Sequence, residues 1–348
     1  MIFTSDNAFG VSPEILDALA RVNGGCVSSY GADDTTKGLT QKFSDLFERE
    51  VAVFPVATGT AANALALATL TPPYGAILCH DVAHVNVDEC GAPEMFTGGA
   101  KLIGIGGAGG KIDPDRLFAR LQGFRAGDVH SVQPRSLTIT QSNEDGGVYS
   151  LDELTRLTAI AREFKLAVHM DGARFANALV ALGCSPAEMT WKSGVDVLSF
   201  GATKNGAMAA EAVVFFDPAM ARDFEFRRKR AGHLFSKMRF LSAQLEAYLA
   251  DDLWLRNARH ANAMATRLGD GLSVIDGIVM ASAIEANEVF VRLPVAVFKR
   301  LLASEAKFHP WPNVADAAEG HKHQTIRLVT SFATTADDVA GFLELVNG

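Results

Sequence analysis

The chain has 348 residues, of which 48% are hydrophobic and 21% are charged, the balance of an ordinary soluble globular protein. Its formal net charge is −8 and its pI is near 5.6, which argues against binding to nucleic acid or to an anionic membrane. The length favours one large domain and one smaller domain, which we place at residues 1–245 and 246–348.

The cysteines and the N-terminal residues bear on the cellular compartment. The four cysteines form no CxxC pair and have no histidine at a spacing suited to zinc, so no metal ligand is assigned. A reducing compartment explains them most simply, and no secretory signal is visible, so we expect a cytoplasmic protein. The longest apolar stretch, residues 61–70, is shorter than the roughly 20 residues that cross a bilayer.

Strand-like apolar runs alternate with segments of helical periodicity, which is typical of a mostly parallel sheet covered by helices. Ser12-Pro13 has the pattern of a helix start. The predicted strands of the large domain lie at residues 51–56, 76–79, 101–105, 137–140, 166–170, 195–200 and 211–216. Helices are predicted at residues 60–70, from Ser150 onwards, and as one long stretch at 218–268.

The C-terminal part of the chain has a different pattern. It combines predicted strands at residues 288–293 and 325–329 with helices at 295–303 and 336–346. We therefore expect an α/β protein whose small C-terminal domain is α+β.

Lys204 and Asp171 are the most informative residues. Lys204 lies in the small-residue loop Gly201-Ala202-Thr203-Lys204-Asn205-Gly206 after one predicted strand, and Asp171 ends another. Small residues allow a flat ring to approach the backbone. A pyridoxal-phosphate enzyme needs a lysine that forms the Schiff base and an acid that pairs with the pyridinium nitrogen. Taken singly, a solvated loop lysine and a helix-capping aspartate would be the simpler interpretation.

Other polar residues fit the same chemistry less specifically. The turn at Gly59 and Thr60 precedes a predicted helix, whose free N–H groups suit a phosphate. His84 follows a predicted strand and could stack on a ring, although a lone loop histidine is more often a surface residue. His130 and His169 carry the same caution, and His169 could be a buried, hydrogen-bonded ring.

Two arginines are candidates for binding a carboxylate. Arg174 is close in sequence to Asp171, and Arg327 interrupts an apolar predicted strand. A buried guanidinium needs an anion, either a substrate carboxylate or a neighbouring acidic side chain. The basic run Arg227-Arg228-Lys229-Arg230 is either a solvated helix face or an oligomer contact that reaches a phosphate.

In order and spacing, these residues resemble the low-specificity L-threonine aldolases, fold-type-I enzymes of the aspartate aminotransferase type. The resemblance covers nearly the whole chain, and its most specific part is the run His169-Met170-Asp171-Gly172-Ala173-Arg174 followed by Lys204. Its motifs are Ser5-Asp6-Asn7, Tyr30-Gly31, Thr58-Gly59-Thr60-Ala61-Ala62-Asn63, His84, Asp171-Gly172-Ala173-Arg174 and Lys204.

The resemblance implies a role for each matching residue. Pyridoxal 5'-phosphate would be held by Lys204, Asp171, Arg174, His84, Gly59 and Thr60. The substrate carboxylate would be bound by Ser5, Arg174 and Arg327. Tyr30 and Lys229 would reach the phosphate region of the neighbouring subunit, and His130 would sit near the β-hydroxyl. A homodimer or homotetramer with shared active sites is implied as well.

The implied reaction is cleavage of L-threonine, L-allo-threonine or a related β-hydroxy-α-amino acid to glycine and an aldehyde, with His84 or His130 as the base. The chain has Gln141-Ser142-Asn143 where many members have Glu-Asn-Thr, so a phenylserine-like substrate is a further option. A β-eliminating lyase or aminotransferase of the same fold is the nearest alternative. A non-catalytic protein of this fold is a weaker alternative, because the lysine and the acid are retained. A nucleotide-binding protein that uses Thr58–Asn63 for phosphate is weaker as well, because that segment has neither a Walker lysine nor a GxGxxG turn.

Overall fold

The computed structural model describes residues 1–311 and 322–348. A seven-stranded sheet forms the centre of the larger part. Its strands are β1 (Ala52–Val56), β2 (Gly75–His80), β3 (Lys101–Ile105), β4 (Gln133–Thr140), β5 (Ala167–Gly172), β6 (Val197–Gly201) and β7 (Glu211–Phe215). They are arranged in the order β1-β7-β6-β5-β4-β2-β3, and every neighbouring pair is parallel except those that β7 makes. The predicted mostly parallel α/β sheet is confirmed.

Helices surround this sheet and continue into the C-terminal part. In chain order they are α1 (Pro13–Val22), α2 (Asp34–Leu46), α3 (Gly59–Leu70), α4 (His84–Val87), α5 (Ala92–Thr97), α6 (Pro114–Gln122), α7 (Leu151–Glu163), α8 (Phe175–Leu182), α9 (Pro186–Met189), α10 (Phe224–Arg230), α11 (Arg239–Leu249), α12 (Leu253–Ser273), α13 (Val295–Leu302) and α14 (Ala336–Asn347). None of the helices in the described ranges is both long enough and apolar enough to cross a membrane. Helix α3 is buried along residues 61–68 because it packs across the sheet.

A second sheet has its own hydrophobic core. Its strands are β8 (Val279–Met280), β9 (Glu288–Pro294), β10 (His309–Pro310) and β11 (His323–Val329), paired antiparallel in the order β10-β11-β9-β8. Phe3 is buried in this core, because its N–H donates to Lys307 O at 2.8 Å and its carbonyl accepts from Val329 N at 2.9 Å. The first residues of the chain thus pack with its C-terminal part, and the boundary at 245/246 stays a prediction.

The single long helix expected over residues 218–268 is wrong. A 3₁₀ turn at Pro218–Ala221 is followed by α10, α11 and α12 as separate helices. Gly232 interrupts the first junction with a φ of 78°, and Asp251 and Asp252 interrupt the second with φ values of 50° and 54°. These left-handed conformations end a right-handed helix, and the apolar periodicity on either side conceals them.

The start of α7 provides a test of the fold. Ser150 accepts a hydrogen bond from Glu153 N at 3.2 Å, and Ser150 N donates to Glu153 Oε2 at 2.7 Å, a reciprocal capping box. We expect Ser150→Ala to lower the free energy of unfolding by about 1 kcal/mol, as measured by chemical denaturation. Ser28→Ala, at an exposed position, is the control, and equal stability of the two variants would contradict this assignment.

Candidate active site

The candidate residues meet at one edge of the large sheet, where β4, β5 and β6 have their carboxyl ends. Thr140 pairs with Asp171, and Asp171 pairs with Ser199. The loop after β4 continues this alignment, since Gln141 N donates to Asp171 O at 2.8 Å. The carboxyl ends of parallel strands are where α/β proteins bind ligands.

Asp171 is fixed by two donors. Its Oδ2 accepts from Asn63 Nδ2 at 2.8 Å, and its Oδ1 accepts from Ala173 N at 3.0 Å. The residue is buried, with 3% of its surface exposed. Hydrogen bonds of this kind stabilise an ionised carboxylate in a buried position, which leaves Asp171 suited to pair with a cationic group.

His84 begins α4 and is held by a buried carboxylate. Its Nδ1 lies 2.9 Å from Glu89 Oε1, which also accepts from Asn63 Nδ2 at 2.8 Å. The hydrogen bond to Glu89 raises the pKa of His84, with Asp171 acting in the same direction and burial against it. Asn63 therefore connects the acid of β5 to the carboxylate that orients the histidine.

Lys204 lies in the 3₁₀ turn Thr203–Asn205, directly after β6. Asn205 anchors this turn by donating to Tyr248 Oη at 2.7 Å and to Trp254 O at 2.8 Å. Within the described ranges, Lys204 Nζ has no hydrogen bond or ion pair. The turn therefore fixes the backbone of Lys204, and among the described residues its amino group has no partner that would compete with a cofactor.

A buried carboxylate on β7 lies near this turn. Glu211 accepts from Ala202 N at 2.9 Å, and burial raises its pKa to about 7, with the charge of Lys204 opposing the rise. Glu211 is thus a buried carboxylate whose charge interacts with that of Lys204.

Arg174 already has an anionic partner within the chain. Its Nε and Nη2 donate to the two oxygens of Asp6 at 2.7 and 3.1 Å. Although burial acts in the opposite direction, the charges of Arg174 and Lys204 hold the pKa of Asp6 below its usual range. A salt bridge within the chain therefore satisfies much of this guanidinium.

Arg327 is less completely paired. Its Nη1 is 4.0 Å from Glu288 Oε1, and its guanidinium carbon lies 4.9 Å from the centre of the Trp311 ring. Among the described residues, its buried Nε has no hydrogen-bond partner. Arg327 is therefore the arginine of this pair with more capacity to bind a further carboxylate.

The predicted phosphate segment begins α3. Thr58 caps the helix by accepting from Ala61 N at 3.2 Å, and a Cβ built on Gly59 would meet no atom within 4 Å. The first N–H groups of a helix have no partner within it, so the N–H groups of Gly59 and Thr60 are available to a ligand, and there is space beside Gly59. Ser5 instead uses its hydroxyl to accept from Asn7 N at 3.1 Å in the N-terminal 3₁₀ turn.

Tyr30 and Lys229 lie together on the surface. The Lys229 Nζ is 4.7 Å from the centre of the Tyr30 ring, and both residues line an open cavity of about 580 Å³. The segment after α10 lies beside the start of α3, since His233 Nδ1 accepts from Ala57 N at 3.4 Å. Their contact with a neighbouring subunit's phosphate stays a prediction.

His130 lies away from the other candidates within the single chain. This exposed histidine precedes β4, at the amino end of the strand, whereas Asp171 pairs with Thr140 at its carboxyl end. Its place near the β-hydroxyl stays a prediction. His169 is a buried structural ring that is hydrogen-bonded to Thr138 Oγ1 at 2.8 Å and Ser199 Oγ at 2.9 Å. Burial lowers the pKa of His169 to about 4, so the ring is neutral at physiological pH.

Sequence reasoning assigned no role to six polar residues of the site. Their partners are distant in the chain, so no local pattern reveals the contacts, although Asp6 and Asn63 lay within recognised motifs. Five of the six contact predicted residues, namely Asp6, Asn63, Glu89, Glu144 and Glu288. The sixth, Glu211, accepts from Ala202 N in the loop that carries Lys204. No cluster of three or more histidine, cysteine or acidic residues in the described part of the chain has the arrangement of a metal site.

These groups fit pyridoxal phosphate. A reactive amine at Lys204, an acid at Asp171, an imidazole at His84 and an open helix start at Gly59 are the functions that hold this cofactor. The Oδ1 atom of Asn63 is buried without a hydrogen-bond partner among the described residues, which leaves an acceptor available at the same place.

Comparison with known proteins agrees with the geometry. The family model for beta-eliminating lyases matches residues 3–294. A low-specificity L-threonine aldolase from Pseudomonas aeruginosa is 45% identical over 88% of this chain and 88% of its own. The chain belongs to the low-specificity L-threonine aldolase family. As a member of that family it is a pyridoxal-phosphate-dependent carbon–carbon lyase.

Solved structures place this aldolase-family chain in the same fold. The threonine aldolase of Leishmania major superimposes with a TM-score of 0.91 at 28% identity, covering 99% of this chain and 98% of the other. A serine palmitoyltransferase from Sphingomonas wittichii, at 15% identity and a TM-score of 0.71, covers 100% of this chain and 86% of the other. This second likeness shows the fold alone, that of the fold-type-I enzymes.

The His84–Glu89 pair gives a prediction that needs no turnover. Glu89→Gln removes the carboxylate whose hydrogen bond raises the pKa of His84, so we expect this pKa to fall. An NMR titration of the His84 ring in labelled protein would measure it, with His84→Asn to assign the resonance. Glu48→Gln, an exposed site, is the matched control, and an unchanged His84 titration in Glu89→Gln would contradict the pairing.

Proposed function

We propose that this protein cleaves L-threonine, L-allo-threonine and related β-hydroxy-α-amino acids such as phenylserine, yielding glycine and an aldehyde. The observation that carries the proposal is the convergence of Lys204, Asp171 and His84 at one sheet edge, with Arg327 incompletely paired beside them. Membership of the threonine aldolase family supports the same reaction.

Each of these residues has a defined task in that reaction. Lys204 would hold pyridoxal phosphate covalently, Asp171 would keep its ring nitrogen protonated, and Gly59 and Thr60 would bind its phosphate. When bound, this cofactor supplies an electron-accepting ring that stabilises negative charge at the substrate Cα. His84 would lie against the ring, in an orientation fixed by Glu89.

The substrate carboxylate decides which bond breaks. Arg327, with Ser5 and the remaining capacity of Arg174, would fix the carboxylate and so set the Cα–Cβ bond perpendicular to the ring plane. Only a bond in that orientation can release its electron pair into the π system. A guanidinium that makes two hydrogen bonds to a carboxylate fixes its orientation, and this orientation decides which bond of the substrate breaks.

His84 is placed by its hydrogen bond to Glu89, which raises its pKa and fixes the orientation of the ring. This orientation suits ring stacking. His84 and His130 stay candidates for the base that accepts the β-hydroxyl proton, and a buried carboxylate beside His84 is a third candidate.

We also propose that the chain works as a cytoplasmic homodimer or homotetramer with shared sites. The Tyr30–Lys229 pair is exposed in the single chain, beside the start of the phosphate-binding helix. The four cysteines of the chain are all free, which suits a reducing compartment. The molar mass in solution tests the assembly.

A second candidate, β-elimination, is favoured by the name of the matching family model. It would use the same Lys204 and Asp171. The products separate the two reactions, because aldol cleavage yields equimolar glycine and aldehyde, whereas elimination yields a 2-oxo acid and ammonia. Product analysis of the cofactor-loaded protein with L-threonine and with phenylserine therefore decides between them, and the ratio of the two rates gives the preferred side chain.

Replacing Lys204 tests the assigned nucleophile. We expect Lys204→Ala to abolish release of glycine and aldehyde and to alter the visible absorbance of the bound cofactor, because the covalent link is lost. Lys192→Ala, at a surface lysine paired with Glu48, should retain both. Aldehyde release near the wild-type rate from Lys204→Ala would remove the lysine from the mechanism.

Replacing Arg327 tests the carboxylate site. Arg327→Lys keeps the positive charge but loses the planar guanidinium and its paired N–H donors. We therefore expect KM for threonine to rise by about tenfold, with a smaller change in kcat. Arg292→Lys, an exposed arginine on β9, is the matched control. Steady-state kinetics of both variants check the prediction, which an unchanged KM in Arg327→Lys would refute.

A further inference from the structure

Glu144 lies in a rigid loop after β4, at the same sheet edge as Asp171. Asn143 organises this loop, because its Oδ1 accepts from Asp145 N at 3.1 Å and from Gly147 N at 2.9 Å. Asn143 Nδ2 also donates to Gly109 O at 2.9 Å, which ties the loop to its neighbour. The backbone on both sides of Glu144 is therefore held by hydrogen bonds.

The carboxylate of Glu144 has one oxygen engaged and one available. Its Oε1 accepts from His84 N at 2.7 Å. Its Oε2 is buried and has no hydrogen-bond partner among the described residues. An unsatisfied buried carboxylate oxygen is costly unless it has a further function, and this one lies beside the histidine of the site.

The charged groups around Glu144 set its proton affinity. Burial raises its pKa to about 7, the nearby charge of Asp171 adds to the rise, and the backbone N–H and the ring of His84 oppose it. The charge of Glu144 also acts on Arg174, Cys79 and Tyr149, which face it from other elements. A carboxyl that titrates near neutrality can accept a proton and release it again in one catalytic cycle.

We propose that Glu144 Oε2 is the proton acceptor for the β-hydroxyl of the substrate. This inference rests on the proposed aldol cleavage. The O–H bond breaks, its proton passes to Glu144, and its electron pair becomes the second C–O bond of the aldehyde. The Cα–Cβ electron pair stays with the glycine fragment, which takes up a proton at Cα from another donor. Glu144 then returns its proton to solvent, and the reaction involves no net oxidation.

A purely structural role for Glu144 predicts a different outcome. In that case Glu144 only caps the first N–H of α4, and the neutral isostere would serve equally well. Glu144→Gln separates the two roles, since the amide oxygen can still accept from His84 N while the proton-accepting carboxylate is lost. Asp145→Asn is the matched control, a carboxylate-to-amide change at the next position of the same loop.

The test compares cofactor-loaded wild-type, Glu144→Gln and Asp145→Asn proteins. We expect Glu144→Gln to lower kcat for threonine cleavage by about 10²- to 10⁴-fold. In the wild-type protein kcat/KM should rise with pH through about 7, because the base must be ionised. This rise of kcat/KM with pH should disappear in Glu144→Gln. Asp145→Asn should retain both the wild-type kcat and the rise of kcat/KM with pH.

Exchange of the glycine Cα hydrogen with deuterated solvent supplies a second readout. This exchange involves no β-hydroxyl, so Glu144→Gln should retain it within a few-fold and should bind the cofactor normally. Loss of exchange together with cleavage would show that Glu144 is structural and would overturn the proposal. The proposal would also be overturned if Glu144→Gln cleaved threonine within tenfold of the wild-type rate and kept the rise of kcat/KM with pH. A wild-type protein that forms no aldehyde would instead refute the proposed function itself.

Discussion

The common register of β4, β5 and β6 is the constraint on which the site depends. Because Thr140, Asp171 and Ser199 stand side by side, the loops that follow these strands are brought to one edge. The loop after β4 carries Glu144, β5 ends in Asp171, and the turn after β6 carries Lys204. A shift of one residue would turn alternate side chains to the opposite face, so the hydrophobic burial that fixes the sheet also fixes the chemistry.

A second constraint is the excess of acidic groups in this part of the protein. Glu89, Glu144, Glu211 and Glu288 all have a raised pKa, chiefly because burial disfavours the charged form. Buried carboxylates of this kind are tolerated where cations or donors compensate them. The acidic groups around the candidate site are therefore held in place by its cations and hydrogen-bond donors, such as Arg174 and Asn63.

The sequence predicted the parts of this site that depend on local pattern. Asp171 and Lys204 follow apolar runs, so strand ends could be located, and the turn at Gly59 has the pattern of a helix start. The ion pair of Arg174 with Asp6 and the bridge from Asn63 to Glu89 could not be predicted, because tertiary packing alone brings these residues together. The position of His130 could not be predicted for the same reason, because its distance from this sheet edge depends on strand direction rather than on nearby residues.

The pairing of Phe3 with Val329 has a consequence for how the protein folds. Phe3 and its hydrogen-bonding partner in β11 are 326 residues apart in the sequence. Contacts of such large sequence separation are slow to form, because the intervening chain must first be ordered. Asp6 follows Phe3 closely and binds Arg174, so the candidate carboxylate site depends on one of these long-range contacts. The order of the central sheet and the order of the candidate site are therefore set by contacts of different range.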